Sequence, residues 1–116
     1  MALKIFAKAM KIVQKVHQYG VIHRDLKLDN FLISRSDGAP VLIDFGFAVS
    51  TEVADKDGYL KNDMSGTLNY LAPEILLKFD YNGVHADVFA MGVVLFQLVF
   101  KRDPFVKASN SDGRYY

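Results

Sequence analysis

Apolar residues recur at three- and four-residue spacing through the first stretch of the chain. Phe6, Met10, Val13 and His17 fall on one line, flanked by Ile5, Ala9, Ile12 and Val16. That period marks one buried face of a helix and predicts a helix over residues 3–18. Lys4, Lys8, Lys11 and Lys15 fall on the other face, as a solvated surface requires. Tyr19-Gly20 ends the helix, because glycine adopts the left-handed conformation of a C-terminal cap without strain.

The pattern then changes. Val21-Ile22 is a short extended entry to a polar loop, and Phe31-Leu32-Ile33 and Val41-Leu42-Ile43 read as two strands. The turn signal Asp37-Gly38 between them predicts a hairpin, which sets Asn30 and Asp44 on neighbouring strand ends. Residues 47–65 are polar, lack sustained periodicity, and are expected to form a mobile loop longer than a structural connection needs. Within them Asp55-Lys56-Asp57-Gly58 briefly resembles a calcium loop. Its glycine comes two positions early and Gly66 stands where a bidentate glutamate should be, so calcium is rejected. Pro73 suits a first helical turn leading into residues 74–78. Residues 79–84 read as a turn-rich connector with Asp80, Asn82 and Gly83. From Asp87 the chain is apolar on every face as far as Phe100, which predicts a helix over about 87–101 that protein must surround. Lys101-Arg102 suits its C-terminus and Asp103-Pro104 breaks it. Residues 108–116 are polar. The fold class is therefore α+β, mainly helical with small β-hairpins.

Composition narrows the class. The 116 residues, 51% hydrophobic and 23% charged, have the balance of a globular chain rather than a disordered one. A net charge of +1 gives no reason to expect a nucleic-acid partner or an anionic membrane. With no cysteine there is neither a disulfide framework nor a thiolate metal site. The N-terminus lacks a secretory pattern, and the longest apolar run, 88–100, contains Gln97 and is short for a bilayer span. A soluble intracellular protein, cytoplasmic by default, is the expectation. His17 and His85 have no motif context and are assigned no chemistry.

The polar loop is where the chemistry concentrates. His23-Arg24-Asp25-Leu26-Lys27-Leu28-Asp29-Asn30 packs acids, bases and a carboxamide into one turn, and Asp44-Phe45-Gly46 follows the second strand. Further on comes Gly66-Thr67-Leu68-Asn69-Tyr70-Leu71-Ala72-Pro73-Glu74. These three motifs, in this order, resemble the catalytic loop, metal-binding triplet and activation-segment end of the eukaryotic protein kinases. The resemblance implies a partial kinase domain over residues 1–116: catalytic loop 23–30, magnesium triplet 44–46, activation segment 44–74 and a buried helix at about 87–101. It covers a large-lobe fragment, with the small lobe absent: no glycine-rich loop, strand lysine or partner glutamate stands within these residues. Leu28 replaces a commoner proline and Phe89 a different aromatic.

Carried over residue by residue, the resemblance makes Asp25 the group that accepts the substrate hydroxyl's proton and Lys27 the contact to the transferring phosphate. Asn30 and Asp44 become the ligands of Mg2+ beside ATP, hard oxygen donors for a hard cation. Thr67 would bond to both Lys27 and Asp25. His23 would pack beneath Phe45 of the Phe45-Gly46 pair and be tied to Asp87, whose carboxylate the loop's backbone amides would satisfy. Glu74 is expected to pair with an arginine further along the chain than these residues reach. Asp29 stands where an acid favours basic residues ahead of the acceptor. Arg24 is the arginine that pins the activation segment through a negative charge. The customary phosphosite is occupied by Asp63, a fixed carboxylate, and Ser65 is the nearest phosphorylatable alternative. Lys27 and the Ala72-Pro73-Glu74 form point to serine/threonine acceptors on protein substrates, and away from a small-molecule kinase of similar fold. The implied function is a serine/threonine protein kinase using ATP and Mg2+, with no nucleic-acid or membrane partner. The alternative is a non-catalytic kinase-like module that binds partners. The isolated chain is expected to be inactive and poorly soluble.

Overall fold

The computed structural model describes residues 2–106 and 108. The expected polar tail over 108–116 lies, Ala108 apart, outside them. Helix α1, Ala2–Gln18, is the one the apolar period predicts. Its Ala9 and Val13 are buried against the long helix α3, Gly83–Phe100, together with Leu26, Ala90, Met91 and Val94. Gly20, at φ 78°, closes α1 and donates to His17 O at 3.0 Å.

The sheet structure is minimal: three antiparallel two-stranded ladders. Strand β1, Val21–Ile22, pairs with β4, Val49–Ser50, in the register Val21 to Ser50. The hairpin of β2, Phe31–Ile33, and β3, Pro40–Leu42, sets Phe31 opposite Leu42. Strand β3 starts and ends one residue earlier than the apolar run 41–43 suggests, because Pro40 supplies the partner for Ile33. Asp37 accepts the Ala39 amide at 3.0 Å in its turn, and Gly38 takes φ 70°. Strand β5, Tyr59–Leu60, pairs with β6, Tyr81–Asn82.

Two expectations are corrected. Residues 47–65 are not loop throughout: β4, a single 3-10 turn over Thr51–Val53 and β5 stitch them to the body of the protein. Ser50 caps the 3-10 turn, and Asp55 Oδ1 accepts the amides of Asp57 and Tyr59, each at 2.9 Å, so this acid closes a turn. Helix α3 begins a full turn ahead of Asp87, because the Asn82 side chain accepts the His85 amide at 3.0 Å and caps it. The connector over 79–84 is thus partly strand and partly helix. The short helix α2, Pro73–Leu76, opens on its proline and stops before Lys78, which sits at φ 65°.

Helix α3 is apolar all round, yet the described residues cover it unevenly. Ala90, Met91, Val93 and Val94 are buried, while Val88, Val99 and Phe100 are exposed. With 18 residues and a mean hydropathy of 1.8 it is long and apolar enough to cross a membrane, a length the cap adds to the run read from sequence. A core helix meets the same criterion, and the buried carboxylate of Asp87 on its inner face is bonded entirely to protein.

Candidate active site

Four elements converge on the polar loop between β1 and β2. From below, Asp87 of α3 accepts the consecutive amides of His23 (3.0 Å, Oδ2) and Arg24 (3.0 Å, Oδ1). Arg24 can direct its amide there because it takes the left-handed conformation, φ 70°. Strain of about 1–3 kcal/mol at such a position persists only where surrounding bonds fix it. His17 of α1, which the sequence reading left without a role, completes the anchor with Nε2 at 2.8 Å from Asp87 Oδ2. It extends the line Phe6-Met10-Val13, and a polar group on a buried face needs a partner.

The imidazole of His23 faces elsewhere. Its Nδ1 accepts the Asp25 amide at 3.1 Å, so Nε2 carries the proton and donates to Ile43 O at 3.1 Å. Asp87 therefore meets His23 through the backbone and not through the ring. The ring, 1% exposed, lies edge-on to Phe45 with centroids 4.8 Å apart, rather than flat beneath it. The polar loop and the residues just ahead of Asp44 are thereby tied together.

Asp25 is buried, and its carboxylate is aimed by neighbours. Thr67 Oγ1 donates to Asp25 Oδ1 at 2.8 Å and accepts from Lys27 Nζ at 3.1 Å. Lys27 Nζ stands 3.9 Å from Asp25 Oδ2. One hydroxyl thus spaces a carboxylate from an ammonium. Gly66 makes this approach feasible: at φ 115°, a Cβ there would lie 2.9 Å from Arg24 O and 2.9 Å from Leu71 Cδ2.

Asn30 is 4% exposed and its Nδ2 donates to Asp25 O at 2.7 Å. That bond turns Oδ1 away as an acceptor with no hydrogen bond from the described residues. Asn30 O accepts the Ile43 amide at 2.8 Å, which places Asp44 at the neighbouring strand end. Asp44 takes φ 60° and uses Oδ1 for the Gly46 amide at 3.2 Å, leaving Oδ2. Asn30 and Asp44 each carry a hard oxygen donor of the kind that suits Mg2+, which takes one or two protein ligands and fills the remainder with water and phosphate oxygens. No cluster of three His, Cys, Asp or Glu exists among the described residues, as a site more demanding of protein ligands would need.

A second anchor holds residues 47–65 in place. Arg24 Nε donates to Phe47 O at 2.7 Å, and Nη1 to both oxygens of Asp63, at 3.2 and 3.0 Å. The arginine side chain is 12% exposed and that of Asp63 54%, so the cation is built in and the anion is brought to it. Burial opposes the charge on Arg24, but Tyr81 and then Asp63 outweigh it and raise its pKa. Asn62 adds a staple, with Nδ2 donating to Ile75 O at 2.8 Å and Phe79 O at 2.9 Å. Ser65 Oγ donates to Asp63 Oδ1 at 2.6 Å.

The remaining candidates are less embedded. Asp29 is exposed on the 3-10 turn over Leu28–Asn30. The Glu74 carboxylate makes no hydrogen bond or ion pair among the described residues. A network the sequence reading missed lies beside them: Tyr70 donates to Gln97 Oε1 at 2.9 Å, and Gln97 Nε2 to Asp103 Oδ1 at 2.6 Å. Burial, above all, pushes the Tyr70 hydroxyl's pKa up; hydrogen bonding with Gln97 and Leu28 opposes it, and the charges of Asp103 and Asp29 add to it.

The fold thus gathers on one loop a buried acid spaced from a lysine by a threonine, with Asn30 and Asp44 at neighbouring strand ends. The family model for the protein kinase domain matches residues 1–115, and the chain belongs to that family. It is 36% identical over 112 residues to the SNF-related serine/threonine-protein kinase of Homo sapiens, covering 97% of this chain and 14% of the relative. To CBL-interacting protein kinase 31 of Oryza sativa subsp. japonica it is 40% identical over 104 residues, covering 90% of this chain and 23% of the relative. Serine/threonine-protein kinase kin-29 of Caenorhabditis briggsae is 40% identical over 111 residues, covering 96% of this chain and 13% of the relative. The chain thus spans under a quarter of the length of these relatives.

Proposed function

We propose that these residues carry the phosphoryl-transfer centre of a serine/threonine protein kinase. The observation that carries the reading is the Asp25–Thr67–Lys27 contact, at 2.8 and 3.1 Å. The acceptor is a protein serine or threonine hydroxyl. Its oxygen forms the bond to the γ-phosphorus of ATP as the bond from that phosphorus to the ADP oxygen breaks, and the hydroxyl proton passes to a carboxylate oxygen of Asp25. Asp25 is suited to this because Thr67 and Asn30 fix its orientation. Lys27 holds its ammonium beside the same carboxylate, where charge on a transferring phosphoryl group is neutralised. Asn30 and Asp44 are the residues that would hold Mg2+. When bound, the metal neutralises phosphate charge and orients the phosphates.

In this reading Asp63 performs the task of a loop phosphate. Its single negative charge on Arg24 keeps residues 47–65 ordered without modification, and Asn62 supports it. Asp29, exposed beside the loop, favours basic residues ahead of the acceptor. The test is transfer of labelled phosphate by the longest natural chain containing residues 1–116, with Mg2+, ATP and a basic peptide pool. Label on serine and threonine supports the reading; label confined to tyrosine, or no transfer at all, contradicts it.

A further inference from the structure

Ser65 sits two residues beyond Asp63, in a turn with left-handed backbone on both sides, Met64 at φ 58° and Gly66 at φ 115°. Its hydroxyl faces Asp63 and not Arg24: Oγ donates to Asp63 Oδ1 at 2.6 Å, and its amide donates to the same oxygen at 3.0 Å. Asp63 in turn holds Arg24 Nη1 through both oxygens. The serine is therefore part of the fastening, as a donor to its anion.

We propose that Ser65 is a phosphorylation site whose modification releases this fastening and lowers activity, an inference that rests on the kinase reading above. In the modifying step the Ser65 oxygen forms a bond to the γ-phosphorus of ATP and the bond from that phosphorus to the ADP oxygen breaks. The hydroxyl proton passes to a base of the modifying serine/threonine kinase. The hydroxyl donor to Asp63 is lost, and about −1.5 to −2 of charge arrives beside a carboxylate that was accepting from it. Arg24 is already engaged by Phe47 O and by the Asp63 carboxylate. Its Nε is committed to Phe47 O and only Nη1 reaches Asp63. Asp63 cannot withdraw independently either, since its Oδ1 is also bonded to the Ser65 amide.

Displacement here reaches the phosphoryl-transfer site through two peptide links. Gly66 packs on Arg24 O so closely that no Cβ fits, and Thr67 follows it with bonds to Asp25 and Lys27. Moving Ser65 moves the hydroxyl that spaces those two charges. The modification thus acts in the opposite sense to a phosphate that would itself pin Arg24.

The experiment installs phosphoserine at position 65 in the longest natural chain, with and without Asp63→Asn. One readout is trypsin cleavage after exposed Lys61, each rate divided by that of the same chain denatured. The other is kcat/KM on a serine peptide. With phosphoserine, cleavage is expected to quicken about tenfold and kcat/KM to fall about tenfold, within the usual range of coupling between sites. With Asp63→Asn as well, the phosphate meets Arg24 unopposed and both values return toward the unmodified protein. Unchanged or slower cleavage, higher kcat/KM, or a release that Asp63→Asn does not reverse overturns the proposal. If the unmodified protein transfers no phosphate, the kinase reading fails, while the cleavage readout still decides whether Ser65 controls the fastening.

Discussion

His17 Nε2 lies 2.8 Å from Asp87 Oδ2, joining α1 to α3 directly beneath the loop that carries Asp25. The same carboxylate accepts two backbone amides of that loop, so one side chain sets the height of the loop over both helices. Asp87→Ala is therefore expected to cost about 3–5 kcal/mol, the loss seen when a buried hydrogen-bonded charge network is broken. His17→Ala removes one of the three partners and should cost roughly 1–3 kcal/mol. Denaturant melts of the two variants and their double mutant check this. Equal losses from the two single changes would show that the backbone bonds contribute nothing.

Gly66→Ala is expected to act locally and severely. The new Cβ meets the backbone oxygen of Arg24 as well as Leu71, and φ 115° is strained for any other residue. A cost of about 1–3 kcal/mol is expected from the backbone alone. Because Thr67 follows, kcat should fall more than thermal stability suggests. Wild-type kcat with an unchanged melting temperature would contradict the packing described.

The pairing of Arg24 with Asp63 sets a pH dependence. Burial raises the Asp63 carboxyl's pKa, and bonds from Ser65 and then Arg24 outweigh it, holding the carboxyl below its ordinary value of 3.8. A carboxyl lowered in the folded state stabilises the fold above its unfolded value and loses that contribution as pH falls through the folded one. The stability difference between parent and Asp63→Asn should therefore be flat from about pH 5 to 8 and shrink only in acid. Its size should be about 0.2–1 kcal/mol, since Asp63 is more than half exposed and solvent screens it. A difference that varies between pH 6 and 8, in melts across that range, would assign the effect to another group.

The outer face of α3 leads to a prediction about residues 1–116 in isolation. Phe100 is 57% exposed, and Val99 and Leu3 are exposed with it. Apolar surface of this kind favours self-association. The 116-residue chain is expected to bind a hydrophobic dye and sediment as oligomers, and Phe100→Glu with Val99→Lys to reduce both. A monomeric, dye-silent sample of the unsubstituted chain would contradict this.

Legibility in the sequence tracked the range of the interactions. Helix α1 was readable because its period is internal, and the β2–β3 hairpin because Asp37-Gly38 marks its own turn. The two-residue strands β4 and β5 were not, since nothing in Val49-Ser50 or Tyr59-Leu60 is periodic and their partners are far along the chain. The start of α3 was hidden because Asn82-Gly83 reads equally as a turn and as a cap followed by a helix. At the site, the motifs brought Asp25, Lys27, Asn30 and Thr67 to notice together, and the fold sets them in contact. The Asp87 and Arg24–Asp63 anchors were legible from the same motifs, but two of their members were not: His17 belongs to no motif, and Tyr81 comes to Arg24 only because β6 pairs with β5. His17 did leave a signal, as the one polar member of the line Phe6-Met10-Val13.

The central claim is that Asp25, oriented by Thr67, takes the acceptor's proton. The most direct measurement is kcat for peptide phosphorylation by the longest natural chain containing these residues, with Asp25→Asn against the parent. Asparagine keeps the shape and most of the hydrogen bonds but accepts no proton, so kcat should drop by about 10²–10⁴ with the peptide KM and the melting temperature nearly unchanged. An Asp25→Asn variant that retains the parent's kcat would contradict the account.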